Sequence, residues 1–326
     1  SIASESAATE QPMQSLATYE LCVTSRDEAE VHEPTTWVIC AAAGSAPADL
    51  AAAAETNPVW WAAAASPLKQ IRGAAERDQQ SLRGRLFCFL PLPARTGLPI
   101  HLNASLALTT SREPVVSGAD LASGRGAAQA MWNARVLEEL GASCYSRLLA
   151  VLAAHGTSGH RPVVSDVDEA ACESLWAAWP APPFNMPAPF DIVARQALRE
   201  ASLNGRPVLR DVSLRKPLAL HDAILVDLVT EASTSPEEAE AAATSDVISP
   251  TLSALLRRCR VTVCATPPFV SAALRWAGVE TPRVTAEVVA STLRQHPAVI
   301  PTKMEASVAL SHILRSVCCW ASTRPR

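Results

Sequence analysis

The sequence predicts an α+β fold: an antiparallel sheet with packed helices, followed by a mostly helical part with a small strand pair. Three observations predict it. Short runs rich in β-branched and aromatic residues, bounded by Gly and Pro, cluster before residue 110. A long stretch with helical apolar spacing follows at Ala127–His155. Beyond a Gly/Ser/Pro break at His155–Pro162, helical patterns dominate and only two short runs read as strands. That break divides the chain into a sheet-plus-helix domain at 1–156 and a mainly helical domain at 160–326.

In order, polar Ser1–Gln14 is a frayed start. Thr18–Thr24 alternates as a strand, and Thr35–Ala41 answers it after an acidic turn near Arg26–Pro34. Pro47–Glu55 is a short helix. By composition the alanine runs at Ala41–Ala54 and Ala62–Ala65 read as helix or loop, too interrupted to span a bilayer. Gly84–Leu108 is the most informative stretch. Arg85–Leu90 is a strand closed by Pro91 and Pro93, which cannot donate to a central ladder. Thr96-Gly97-Leu98-Pro99 supplies a turn, with Gly97 free to take positive φ. Ile100–Leu108 then alternates, with Ile100, Leu102, Ala104, Leu106 and Leu108 on one face and His101, Asn103, Ser105 and Ala107 on the other. The pair reads as a sheet hairpin with a polar stripe.

A Gly/Ser-rich loop at Ser117–Gly126 precedes the long helix, which Gly141 divides. Past the break, Asp166–Ala178 is a helix with Asp166 at its N-cap and acidic residues in its first turn. Trp179–Pro187 is a rigid loop, Phe190–Ser202 a helix and Pro207–Val212 a strand. Acidic Thr230–Ser245 is an exposed linker. A helix over Ser249–Arg258 leads to strand Arg260–Cys264, and a proline-started helix follows at Phe269–Ala277, with Gly278 as its C-cap. Thr285–Gln295 and Glu305–Val317 are the last helices.

Composition narrows the function classes. Hydrophobic content of 48% and charged content of 18% fit a folded globular chain. A net charge of -4 argues against a duplex nucleic-acid binder, which normally carries a basic face. The nine cysteines are scattered and odd in number, with no Cys-x-x-Cys and no zinc spacing with His. They read as buried reduced thiols in a cytoplasmic protein without a metal. His101 and Ser105 share the polar face, but a general-base His also needs an orienting acid, and none is placed by the pattern. His101 and Asn103 are therefore structural polar contacts. Of the tryptophans, Trp176 and Trp179 beside the proline-rich loop are the pair expected at the surface.

The run Phe87-Cys88-Phe89-Leu90-Pro91-Leu92-Pro93, then Thr96-Gly97-Leu98-Pro99 and His101-Leu102-Asn103, resembles a block of the sacsin repeating region without a gap. Trp37-Val38-Ile39-Cys40 upstream, Trp60-Trp61 with its alanines at the family's small-residue strand, and Trp132-Asn133 in the long helix fall in the same order. The resemblance is close from about residue 35 to 152 and looser beyond. It implies the segment that follows an ATP-binding module like that of the ninety-kilodalton heat-shock chaperones. This segment would be non-enzymatic, coupling that module to client proteins or heat-shock co-chaperones, with no nucleic acid and no membrane as partner.

Such ATPases carry a Glu four residues before an Asn and an Asp-x-Gly-x-Gly turn. Glu28 and Glu55 lack the Asn, and Gly124-Arg125-Gly126 lacks the Asp, so the chain reads as holding neither box, and it has no P-loop. ATP and Mg²⁺ would enter only through an upstream module. The resemblance also implies a basic residue lent to the nucleotide phosphate, for which Arg112 and Arg95 are the candidates. The family has two arginines where this chain has Arg112-Glu113. Two further readings follow: part of an ATPase whose pocket lies upstream, and an interaction scaffold without nucleotide dependence.

Overall fold

The computed structural model describes residues 15–24, 34–56, 59–68, 84–110, 113, 124–155, 166–211, 216–227, 250–282, 284–296, 299 and 302–311. The chain forms two compact units. One takes in Ser1–Leu68, Gly73–Leu148 and Asn185–Ala197; the other takes in Leu149–Phe184 and Leu198–Arg326. The predicted break at 156–160 falls outside the described residues. So do the N-terminal tail, the acidic turn at 25–33 and the linker at 230–245.

The first unit is a six-stranded sheet in the order β1-β2-β3-β6-β4-β5. Its strands are β1 (Ser15–Val23), β2 (Thr35–Ser45), β3 (Val59–Pro67), β4 (Arg85–Cys88), β5 (Leu90–Arg95) and β6 (His101–Ala104), and α1 (Ala48–Ala54) bridges β2 and β3. All neighbours are antiparallel except β4 and β6. Parts of the alanine runs that composition reads as helix or loop are strand: 41–45 completes β2, and Ala62–Ala65 is the centre of β3, where the resemblance places a small-residue strand; Ala48–Ala54 is helix as expected. Helix propensity is a weak prior that tertiary context overrides. Here the context is a helix lying close on the sheet. α2 (Gly124–Arg135) passes through a π-helical turn (Val136–Gly141) into α3 (Ala142–Ala154). That turn packs on β2, β3 and β6, and the Cys144 thiol donates to the Ala62 carbonyl at 3.3 Å. Only small side chains on β3 allow so near an approach. The expected break at Gly141 is thus the end of a wound turn, not an interruption.

Sheet register follows the alternation. Val38, Cys40, Ala42, Trp60, Ala62, Ala64, Leu86, Leu102 and Ala104 are buried on the helix side. Trp37, Ile39, Ala41, Ala65, Phe87, His101 and Asn103 lie on the opposite face, in intermediate burial.

Two expectations about Gly84–Leu108 are corrected. Pro91 and Pro93 do not end the strand region; they sit within β5, an edge strand, where a missing donor costs nothing on the solvent side. The hairpin is β4–β5, and β6 lies beside β4 in parallel, with Leu86 opposite Leu102 and Phe87 opposite Asn103. The return loop makes this parallel placement feasible. Gly84 N–H donates to Leu98 O at 2.8 Å, Thr96 N–H donates to Gly84 O at 3.1 Å, and buried Thr96 Oγ1 accepts from Leu98 N–H at 3.1 Å. Gly97 takes φ 71° as expected.

In the second unit, α4 (Asp166–Ala177) begins at Asp166, which is its first residue and not its N-cap. α5 (Phe190–Leu203) continues from the first unit, and β7 (Leu209–Asp211) pairs antiparallel with β8 (Lys216–Leu218). β9 (Ile224–Asp227), which periodicity passed over, pairs in parallel with β10 (Val263–Thr266). β10 lies about one turn later than Arg260–Cys264 predicts, because Arg260 itself takes φ 59°. α6 (Pro250–Arg258), α7 (Pro268–Ala277) and α8 (Ala286–Gln295) follow, and residues 303–311 form a ninth helix among those described. Thr285 caps α8 by accepting from Val288 N–H at 3.2 Å. Thr302 and Glu305 form a capping box, 2.7 Å and 3.2 Å, so the last helix starts before Glu305. Leu252, Leu255, Leu256, Val263 and Val289 make the core of this part. Trp179 is 1% exposed and Trp176 half-buried, which corrects the expected surface pair; the indole of Trp179 fills the core beside Trp176 at 6.3 Å.

Glycine substitutions test the packing. A Cβ on Gly84 collides with the Ile100 carbonyl and lies 2.5 Å from Leu98 O and Thr96 Oγ1, whereas on Gly141 its nearest neighbours stand at 3.9 Å. Gly84→Ala is expected to destabilise by about 2 kcal/mol or more. Gly141→Ala is expected to stabilise by about 0.5–1 kcal/mol through the unfolded chain. Denaturant unfolding of both variants checks this contrast.

Candidate functional site

The residues singled out around Gly84–Leu108 converge on the open face of the sheet. His101 Nδ1 accepts from Arg85 N–H at 3.1 Å, so the imidazole ties β6 to the start of β4. Its ring stacks on Trp37 at 5.3 Å and 21° and meets Phe87 at 5.5 Å. Burial, helped by the Arg85 charge, lowers its pKa below the ordinary histidine value. Asn103 Oδ1 accepts from Phe89 N–H at 3.1 Å, which holds Phe89 in the β4–β5 turn at φ 60°. A left-handed non-glycine residue costs roughly 1 kcal/mol or more. The consequence is a ring thrown outward: Phe89 is 74% exposed and leans on Trp61 at 5.1 Å.

Two aromatic walls result, Trp37–His101–Phe87 and Trp61–Phe89. By register Ile39, Ala41, Ala63 and Ala65 share this face between them; Ala63 is buried. On β1, Tyr19 and Leu21 extend the same face at 49% and 48% exposure.

The other motif residues are structural. Cys88 Sγ donates weakly to Leu106 O at 3.7 Å. Pro91 and Pro93 shape the edge, and Gly97 and Pro99 shape the return loop. On the helix side, Trp132 Nε1 donates to Ser105 O at 2.8 Å. Asn133, 3% exposed, accepts from Ala107 N–H at 2.7 Å and donates to Ala107 O at 2.8 Å. Ser105 is used by Trp61, whose N–H donates to Ser105 Oγ at 2.9 Å, so it is no nucleophile partner for His101.

Arg95 is exposed on β5 and stands opposite Arg85 in the ladder. Both line a depression of about 220 Å³ with Leu92, Pro93 and Ala94. Like charges so placed repel, and neither has an acidic partner among the described residues. Arg112 lies outside the described residues.

Sequence reasoning missed one pair. Glu200 and Asn204 do stand four apart, correcting the expectation that no such spacing occurs. They sit at the end of α5, where Asn204 Nδ2 donates to Glu200 Oε1 at 3.5 Å and Arg206 pairs with the same carboxylate at 2.8 Å. No Asp-x-Gly-x-Gly turn accompanies them. Among the described residues, no group of His, Cys, Asp or Glu is placed to hold a metal. Six of the seven described cysteines are buried or half-buried and all are free; burial pushes the Cys264 thiol up to about 12, leaving it inert. No helix among the described residues is long and apolar enough to cross a membrane.

This geometry, an aromatic face held by a His-x-Asn strand and a Trp-Asn helix, is the setting for the comparisons with known proteins. Part of the chain is similar to human sacsin. The two are 29% identical over 99 residues, which is 30% of this chain and 2% of that much longer protein. No family model matches the chain, and no solved structure matches it.

The depressed pKa of His101 sets a pH dependence. The unfolded chain takes up the proton more readily than the folded sheet does, so its contribution is complete above the ordinary histidine range. It is lost as pH falls through that range toward the lower folded value. Unfolding free energy is therefore expected to fall on acidification from pH 7.5 to 5.5, with a shallower slope in His101→Gln, as read by denaturant melts across that window.

Proposed function

We propose that this chain is a non-catalytic polypeptide-binding module of a sacsin-type chaperone, and that its ligand is an extended, apolar client segment laid on the open face of the first unit. One observation carries the reading: aromatic side chains cluster with Ile39 and small residues on a sheet face that no described helix covers, with Phe89 74% exposed. Large aromatics dominate polypeptide interfaces, because they bury much area at little entropic cost. The similarity to human sacsin supports placing the module in that setting, after an ATP-binding module whose state it couples to client or co-chaperone binding.

A second reading, in which the chain contributes to nucleotide chemistry upstream, draws on the Arg85–Arg95 pair. Two exposed guanidinium groups facing each other across a ladder gain from an anion between them. The scaffold reading has no observation of its own.

Two measurements separate these readings. Phe89→Ser combined with Trp61→Ala is expected to reduce suppression of aggregation of a heat-unfolded client several-fold, with the helix-side core untouched. Undiminished suppression by a folded variant, or no suppression by the unaltered chain at stoichiometric excess, removes the client-binding role. In the longer parent chain, ATP turnover is expected to be unchanged by Arg112→Ala and Arg95→Ala. A fall of tenfold or more in kcat would move either residue into the nucleotide site.

A further inference from the structure

Neighbouring strands set Arg95, Arg85, His101, Ala65, Ile39 and Tyr19 in one row across the open face, from β5 to β1. The β5 end of that row is bulged. Arg95 stands opposite Arg85 and Pro91 opposite Phe87, so Leu92, Pro93 and Ala94 face the single residue Leu86. A bulge bends its strand and re-aims the side chains around it. Here the bulged residues and the two exposed arginines line one depression of about 220 Å³. Like charges directly opposite each other on a ladder are destabilising. Neither guanidinium has an acidic partner among the described residues, so that cost stands uncompensated within the chain.

We propose that the Arg85–Arg95 pair anchors an acidic side chain, carboxylate or phosphate, of the segment bound on the open face. This rests on the client-binding reading and narrows its substrate class to apolar segments flanked by an acid. An oxyanion between the two guanidinium groups replaces their repulsion with charge-assisted hydrogen bonds, and the planar fork of arginine suits carboxylate and phosphate alike. By register, the open-face positions of the six strands hold no Asp or Glu that would compete for the pair. The pair also lies close to the aromatic residues: the Arg85 charge is felt at the His101 ring, where it adds to burial in lowering the pKa.

The lining favours a polypeptide over a free nucleotide. Nucleotide phosphates are commonly cradled by successive backbone N–H groups, and Pro93, at the middle of the bulge, has none. No aromatic ring or side-chain amide lines the depression to hold a base. Leu92, Pro93 and Ala94 instead offer apolar contact to the short stem that carries an acid group on a polypeptide. Recognition of acidic or phosphorylated segments by paired arginines needs no more than this.

Fluorescence polarisation of the full chain with labelled extended peptides tests this. All share an alternating leucine–serine core and carry alanine, aspartate or phosphoserine at one end or the other. The acid-tailed peptides are expected to bind about tenfold more tightly than the alanine-tailed one, phosphoserine most tightly, with the gain shrinking as salt rises. Arg85→Gln with Arg95→Gln is expected to bring the acid-tailed peptides down to the alanine-tailed level, whereas Phe89→Ser with Trp61→Ala weakens all three. Removing a repulsion, the glutamine variant is expected to unfold at no lower denaturant concentration than the unaltered chain, which separates lost binding from lost folding. Equal affinity for the three peptides, or a gain that survives in the glutamine variant, would overturn the acid anchor and leave client binding standing. No binding of any peptide would remove both. Displacement of the acid-tailed peptides by ATP, at a concentration where tripolyphosphate has no effect, would give the pair to a nucleotide and overturn the proposal as well.

Discussion

Asn133 reaches from α2 with a single amide and occupies both backbone groups of Ala107, at 2.7 and 2.8 Å in a buried setting. Much of the first unit depends on this fork. A backbone N–H and C=O buried without partners cost roughly 1–3 kcal/mol each, and the chain past Ala104 has left the ladder that would otherwise satisfy them. With Trp132 fixing Ser105 beside it, the end of β6 is locked to the helix. A locked β6 fixes the register against β3 on one side and β4 on the other. Register then decides which residues emerge on the open face, since a slip of one position would exchange His101 and Asn103 for Leu102 and Ala104.

From that register the open face is built by hydrogen bonds made within the sheet. His101 and Asn103 spend their acceptors on the N–H groups of Arg85 and Phe89, at opposite ends of β4. Each holds a strand end beside which an aromatic ring is presented. Asn103 offsets the strain of the left-handed Phe89, and the exposed ring is the result. The polar stripe thus serves an apolar surface.

How much of this was legible in the sequence depends on the range of the interaction. The period-two pattern of Ile100–Leu108 placed His101 and Asn103 on the face away from the core, and Gly97 announced its turn, because both signals are local. β9 was missed because its apolar run, Ile224–Val226, is short and its parallel partner lies far along the chain. By composition alone the alanines of β3 read as helix or loop, because alanine favours helix in isolation, and only the resemblance placed a small-residue strand there; their small size gains its meaning from Cys144, 3.3 Å from the Ala62 carbonyl. Pro91 and Pro93 were read correctly as unable to sit in a central strand, but sequence alone did not show that β5 is an edge. The capping box of Thr302 and Glu305 was fully visible as Thr-x-x-Glu, and the Glu200–Asn204 spacing was equally visible. Spacing alone did not say that Arg206 already holds the carboxylate.

The same sheet offers two surfaces with different physics. The open face presents side chains, aromatic rings beside a strip of small residues and Ile39. The β1 edge presents backbone groups, whose hydrogen bonds are indifferent to sequence and are discriminated only by the side chains flanking the ladder.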